Sequence, residues 1–456
     1  MKSTIKARIC AVCAVIAITL GSCGVPITDN DKIGSTEAPV NLSSSEDESK
    51  SDSEKDTDKD KDKEKEKDND DEDDSEPDDD EESEDEDDPD EDDSKPKDTP
   101  TEGTATVHLV CAGDNLIHDN IYVDAQNDDG SYDFSKCYEP VRRLIEPADI
   151  AILNQETLVN DAFDPSTFPL FSTPTECGDA VVDLGFNVIS MSNNHVLDKG
   201  AEGLISSLDY WDTKDVVHYG AYRDEDDADD IKTMEVNGVT FAFLGYMEHT
   251  NGIFLDDNGP GKVVYISEKS YIEDQVKRAD KMADVVVVSC HFGTEIYNEI
   301  NDMQVSFSNQ LVEWGADLII GTQAHALSTC TYLDKPDGGQ AFVFYGLGNF
   351  FSTMYDADNE DGRYGKSLIG YLGDLDIVKD FSTGEITLEN IKCIPVVSHY
   401  EGETWNSMWY NCRVYPWADY TDDMMKKHMM CWRSGVTKKT LENYIAYIPD
   451  EFLSIE

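Results

Sequence analysis

Ser190-Met191-Ser192-Asn193-Asn194-His195-Val196-Leu197-Asp198-Lys199-Gly200 follows the apolar run Phe186 to Ile189. An apolar strand that ends in adjacent Asn and His, with Asp and Gly opening a helical pattern, places polar ligands at a strand's carboxyl end. That is where open α/β sheets bind ligands. The amide oxygen of Asn194 and the imidazole of His195 are both candidate ligands for a divalent cation, and Asp198 is placed to hold the imidazole from behind. An Asn-rich turn that merely starts a helix at Asp198 is the alternative.

The same pattern recurs along the chain and tips the balance. Strand patterns over Thr106–Cys111, Ala148–Leu153, Phe186–Met191, Val239–Gly245, Val285–Cys290, Leu318–Ile320 and Ala341–Tyr345 alternate with helical ones over Ala201–Trp211, Glu268–Met282 and Met303–Trp314, which predicts an α/β domain. A hairpin follows, Leu368–Val378 and Glu385–Val397 around Asp380–Gly384, then a terminal helix over Thr437–Ile448. Strand after strand finishes in potential ligands or turn glycines: Gly113-Asp114, Asn154-Gln155-Glu156, Asn194-His195, His291-Phe292-Gly293-Thr294-Glu295, Gly321-Thr322-Gln323-Ala324-His325 and Gly348-Asn349-Phe350. Asp114, Glu156, Asn194, His195, His291 and His325 together supply the carboxylates that neutralise divalent cations and the imidazoles that complete their coordination. Gly113, Gly293 and Gly321 are expected to let the backbone turn tightly beside them.

Composition sets the surroundings. The chain has 456 residues and a net charge of −61. Residues Glu46–Glu102 hold 34 acidic residues and 9 lysines, so −25 of that charge lies there. With no aromatic residue between Asn30 and Thr104, residues 24–104 are expected to be a disordered acidic spacer, on the order of 50 Å in typical span and longer under like-charge repulsion. So acidic a chain repels nucleic acid, and no nucleic-acid partner is expected.

Residues 1–23 read as an address. Lys2, Lys6 and Arg8 precede the apolar run Ile9–Leu20, and Leu20-Gly21-Ser22-Cys23 is similar to a bacterial lipobox. Lipidation at Cys23 would anchor the chain on the extracellular face of the cytoplasmic membrane; ordinary secretion is the alternative. The cysteines beyond Cys23 form no C-x-x-C pair, and Cys412 with Cys431 is the nearest candidate disulfide in sequence.

Taken in order, the blocks resemble the CapA family of poly-γ-glutamate capsule synthesis proteins, related in fold to calcineurin-like metallophosphoesterases. The blocks that carry the resemblance are Gly113-Asp114, Asn154-Gln155-Glu156, Ser192-Asn193-Asn194-His195 with Asp198 and Gly200, His291-Phe292-Gly293-Thr294-Glu295, Gly321-Thr322-Gln323-Ala324-His325 and Leu347-Gly348-Asn349-Phe350. The resemblance implies a layered α/β/β/α sandwich over residues 105–400, with residues 401–456 as a C-terminal extension. It implies metal ligands at Asp114, Glu156, Asn194, His291, Gln323 and His325, and catalytic roles for His195, Asp198 and Glu295. Asn349 and Arg363 are the candidates for substrate contact, and Lys366 joins Arg363 in a small basic patch. Gln323 departs from the family's histidine, so one metal site is expected to be weak, selective for harder ions such as magnesium or manganese, or empty; manganese, magnesium, iron and zinc are the candidate ions.

Three functions follow as expectations. The first is a membrane-anchored component of envelope-polymer synthesis or export, with a polymer synthase or export complex as partner. The second is a di-metal phosphoesterase or other hydrolase acting on an envelope substrate. The third is a non-catalytic scaffold that keeps the fold.

Overall fold

The computed structural model describes residues 102–336, 338–355, 363–403 and 408–455. The leader with Cys23 and nearly all of the acidic spacer lie outside the described residues. In chain order the strands are β1 Thr104–Leu116, β2 Ile150–Asn154, β3 Val188–Ser190, β4 Val217–Tyr219, β5 Ala221–Tyr222, β6 Lys232–Val236, β7 Val239–Met247 and β8 Lys262–Val263. They continue with β9 Val285–Phe292, β10 Leu318–Gln323, β11 Cys330–Asp334, β12 Gln340–Phe344, β13 Asn349–Ser352, β14 Ile369–Asp380, β15 Ile386–Glu401 and β16 Tyr410–Pro416.

Two large sheets result. The first has the order β16-β15-β14-β1-β2-β3-β4, parallel from β1 to β4 and antiparallel from β1 through β14 and β15 to β16. The second has the order β11-β12-β10-β9-β7-β6, with β7, β9, β10 and β12 parallel. The expected hairpin is therefore β14 and β15, and it is built into the first sheet. Beyond it, β16 pairs with β15, so chain after Glu401 also joins that sheet.

Alternation along the strands explains the layering. On β9, Val285 and Val287 pack into one core with Leu109, Ile152 and Phe344, whereas Val286 and Val288 pack into another. Successive strand side chains point to opposite faces, so a strand apolar at every position must be covered on both. The first core lies between the sheets: Gly373 on β14 sits against both the Cys111 sulfur and the Phe344 ring. The second is closed by the helix Lys269–Met282, through Ile272, Val276 and Ala279, and by Asp302–Trp314, through Phe307, Leu311 and Val312. Thr175–Leu184 and Gly200–Trp211 cover the first sheet, burying Val181, Leu184, Leu204, Leu208 and Trp211. The order of layers is helix, sheet, sheet, helix, as the resemblance implies. Each fully buried valine contributes roughly 1.5–3 kcal/mol, so β9 alone is a major anchor of both cores.

Two expectations are corrected. Gly113 and Gly321 lie within β1 and β10 instead of turning the chain. They are needed for close approach: a Cβ on Gly113 would fall 1.8 Å from the Gly348 carbonyl oxygen, and one on Gly321 would fall 2.3 Å from that of Tyr345. The eight cysteines between Cys111 and Cys431 are free, so Cys412 and Cys431 are not joined. The Cys412 sulfur faces the Asn120 carbonyl, while the sulfurs of Cys330 and Cys393, one from each sheet, lie 3.6 Å apart. Among the described residues no helix is long and apolar enough to cross a membrane.

Candidate metal centre

Strand register brings the polar blocks together. Asp114 on β1 is the register partner of Asn154 on β2 and of Asn349 on β13. In the second sheet His291 is opposite Thr322 and Met247, and Phe292 is opposite Gln323. The carboxyl ends of β1, β2, β3, β9 and β10 thus share one edge of the sandwich.

Asp114, Glu156 and His325 are buried and offer ligand atoms that all lie within 4.8 Å of one another. Asp114 Oδ1 accepts a hydrogen bond from Asn154 Nδ2 at 2.7 Å, and its Oδ2 lies 3.0 Å from His325 Nδ1. The same Nδ1 lies 3.0 Å from Asn349 Oδ1, so its proton is shared between two oxygens and Nε2 is left facing Glu156 Oε1 at 3.7 Å. His291 approaches the same oxygen, its Nε2 at 3.6 Å. The Thr322 hydroxyl holds His291 Nδ1 at 2.8 Å, and Asn194 Oδ1 lies 3.0 Å from His291 Nε2.

Glu156 is the decisive residue. It is fully buried, and neither of its carboxyl oxygens has a hydrogen-bond partner. A buried polar atom without a partner costs on the order of 1–3 kcal/mol, more if charged, and is retained where something else satisfies it. Gln323 shows the same sign. Its Nε2 donates to Glu295 Oε1 at 3.2 Å, while its buried Oε1 has no partner. The carboxylates of Asp114 and Glu156 and the imidazole of His325, with both Glu156 oxygens unpartnered, fit a divalent cation.

Electrostatics agree. Burial, followed by the neighbouring charge of Asp114, pushes Glu156 well above the ordinary carboxylate range. Burial works against charge on Asp114 and His325 too, but they offset it as a pair: Asp114 is held below its usual value, and His325 is raised to about 10 by Glu156 and Asp114. Burial lowers His291 to about 3, so it is neutral. A divalent cation held by Asp114, Glu156 and His325 would supply the positive charge that the buried carboxylates require.

Beside this group stands a second arrangement. His195 Nδ1 lies 2.8 Å from Asp198 Oδ2, which also accepts from the Phe171 backbone N–H at 2.7 Å. The Phe171 ring meets the imidazole edge-on, with centroids 4.8 Å apart. Asp198 therefore favours the proton on Nδ1 and leaves Nε2 as the unprotonated nitrogen of the neutral ring.

The backbone is bent to suit the site. Gln323 and His325 adopt φ of +88° and +52°, left-handed values that cost a non-glycine residue on the order of 1–3 kcal/mol. The surrounding contacts hold both in place.

The remaining sequence-derived candidates fall around this centre. Glu295 is exposed at the mouth and reaches the site through Gln323. Asn349 is buried behind His325, its Nδ2 donating to the Ser367 carbonyl at 2.9 Å, so both ends of its amide are engaged in holding the ring. Arg363 is exposed, with its guanidinium over the Tyr364 ring, and Lys366 lies over Tyr297, next to the Glu295-Ile296 turn. Sequence reading overlooked Asn154, Thr322, Phe171 and Asn251 as working parts. Asn154 and Thr322 were legible from their place beside named blocks. Phe171 and Asn251 reach His195 from loops that carry no signal.

The family model described as bacterial capsule synthesis protein PGA_cap matches residues 108–354. The chain is 32% identical over 180 residues to the PGA biosynthesis protein CapA of Bacillus subtilis (strain 168), covering 39% of this chain and 46% of that protein. It is 31% identical over 185 residues to the capsule biosynthesis protein CapA of Bacillus anthracis, covering 39% and 43%. These matches thus span less than half the length of either relative. Among solved structures, a phosphatase from Mycoplasma pneumoniae aligns at 14% identity and a TM-score of 0.39, covering 65% of this chain and 95% of that one. A 5'-nucleotidase from Candida albicans SC5314 aligns at 10% identity and a TM-score of 0.34, covering 60% and 52%. Asp114, Glu156, Asn194, His195, His291 and His325 all fall within the matched residues, and the chain belongs to the bacterial capsule synthesis protein PGA_cap family.

Proposed function

We propose that this protein acts in envelope-polymer synthesis or export, of the poly-γ-glutamate kind, as a divalent-cation-dependent component held at the extracellular face of the cytoplasmic membrane. One observation carries the cation: Glu156 is buried with two unpartnered oxygens between His291 and His325. Family membership supports the polymer role, and the basic start, apolar run and Leu20-Gly21-Ser22-Cys23 support the anchor. The acidic spacer would hold the folded part away from the bilayer. A polymer synthase or export complex is the partner this role calls for.

A second reading, hydrolysis of a phosphoester or related envelope substrate, is favoured by the His195–Asp198 pair beside the metal ligands. A divalent cation bound at Asp114, Glu156 and His325, with Asn194, His291 and Gln323 beside them, would supply an acidified water and a clamp on the substrate's oxygens. The chain itself supplies the proton carrier. Asp198 holds His195 in one tautomer, and Nε2 is the atom that gives or takes the proton. The unpartnered Gln323 oxygen weighs against a scaffold that has lost metal binding.

Calorimetric titration of the full-length protein with manganese tests the reading. A saturable site abolished by His325→Ala supports it. Weak heats shared equally by wild type and His325→Ala, as an acidic spacer alone would give, refute it. Incorporation of labelled fatty acid that disappears in Cys23→Ala tests the anchor.

A further inference from the structure

Asn194 serves the site only in one orientation of its amide. Its two ends are nearly isosteric, and only the oxygen can face a cation. In this structure Oδ1 points inward, 3.0 Å from His291 Nε2, while Nδ2 points outward and donates to Asn251 Oδ1 at 3.3 Å. Asn251 is solvent-exposed and lies in the loop after β7, far from Asn194 in sequence.

The loop is built to present it. Thr250 is fully buried, and its hydroxyl contacts both the Ile253 carbonyl at 2.5 Å and the Tyr265 hydroxyl at 2.8 Å. The Ile253 N–H closes the turn onto the Thr250 carbonyl at 2.9 Å. Asn251 sits at its tip with φ of +52°, a left-handed value that asparagine tolerates better than most residues. A buried anchor thus fixes an exposed side chain against a buried ligand. Asn251 Nδ2 also lies 3.4 Å from His195 Nδ1, but that nitrogen's proton is directed at Asp198. Two donors face one another there, so Asn251 is held chiefly through its oxygen.

We infer that Asn251 is a positioning residue that keeps the Asn194 oxygen turned into the metal centre. The inference rests on the cation-binding reading above. Without the Asn251 acceptor, Asn194 Nδ2 is satisfied by water, and only the 3.0 Å contact with His291 Nε2 remains to keep the oxygen inward.

The test is manganese calorimetry on the full-length protein in four forms: wild type, Asn251→Ala, Asn194→Ala and the double variant. The acidic spacer contributes equally to all four. Asn251→Ala is expected to weaken binding about tenfold, yet to change it less than about twofold in the Asn194→Ala background, because the two residues act as one unit. As Asn251 is exposed, the unfolding midpoint of the cation-free Asn251→Ala protein is expected to stay within about 1 °C of wild type. Binding by Asn251→Ala within twofold of wild type, or an equal loss in both backgrounds, overturns this inference and leaves the cation reading standing. Absence of saturable binding by wild type removes both.

Discussion

His291 and His325 both approach the same carboxyl oxygen of Glu156, at 3.6 and 3.7 Å. His291 comes from β9 and His325 from just beyond β10, while Glu156 follows β2 in the other sheet. The carboxyl group is therefore the point at which the two halves of the sandwich meet chemically. Its environment allows it to be content only when protonated or when bound to a cation.

Glu156→Gln separates these two states. Replacing the carboxyl by an amide removes the principal anionic ligand, so manganese affinity should fall at least about a hundredfold, as loss of a charged ligand in a buried site does. The cation-free protein should hold or raise its unfolding midpoint, because a buried acid has been removed. Calorimetry and thermal unfolding of the same preparation check both. A matched fall in stability without cation would show that Glu156 is a structural group.

Protons must leave when the cation arrives. Despite its burial, His325 is raised to about 10 by the charges of Glu156 and Asp114, and burial raises Glu156, so the buried His325–Glu156 pair holds at least one proton at pH 7 in the cation-free protein. Ligation requires the deprotonated forms, so affinity rises with pH through neutrality and binding releases protons. Calorimetry in buffers of different ionisation enthalpy should report net release of about one to two protons. Uptake, or no exchange, would contradict the assignment.

Asp198→Ala tests the chemistry apart from the metal. The variant loses the acceptor that fixes His195 Nδ1 and the partner of the Phe171 N–H, while Asp114, Glu156 and His325 are untouched. If the protein hydrolyses phosphoesters, turnover of a nitrophenyl phosphodiester should fall about 10²–10⁴-fold, the usual share of a positioned acid–base group. Manganese affinity should stay within a few-fold of wild type. Equal losses in both would place Asp198 in the metal centre.

Gln323→His restores the nitrogen ligand that the resemblance leads one to expect. Imidazole suits zinc better than an amide oxygen does, so zinc affinity should rise about tenfold or more relative to manganese. Competition titrations of the two ions measure the ratio. No change in the ratio would show that Gln323 does not reach the cation.

The chain's pattern carried most of the fold. Val285–Val288 is apolar at every position because β9 is covered on both faces, and such a run is legible without knowing what covers it. The strands β4, β5, β8 and β13, of two to four residues, were not read, and neither were the longer β6, β11 and β16, whose polar residues interrupt the apolar pattern. The ligand blocks were readable because chemistry confines them to a few residue types at strand ends.

The amino-acid order by itself determined the alternation of strands and helices, the acidic balance and the identity of Asp114, Glu156, Asn194, His195, His291, Gln323 and His325 as one ordered set. Only the tertiary structure decided that Glu156 would lack a partner, that Asn349 would stand behind His325, and that Phe171 and Asn251 would brace His195 and Asn194 from distant loops. The reason is physical. Local pattern records which face of a strand is buried, whereas hydrogen-bond satisfaction depends on which remote groups the packed sheets bring within about 3 Å.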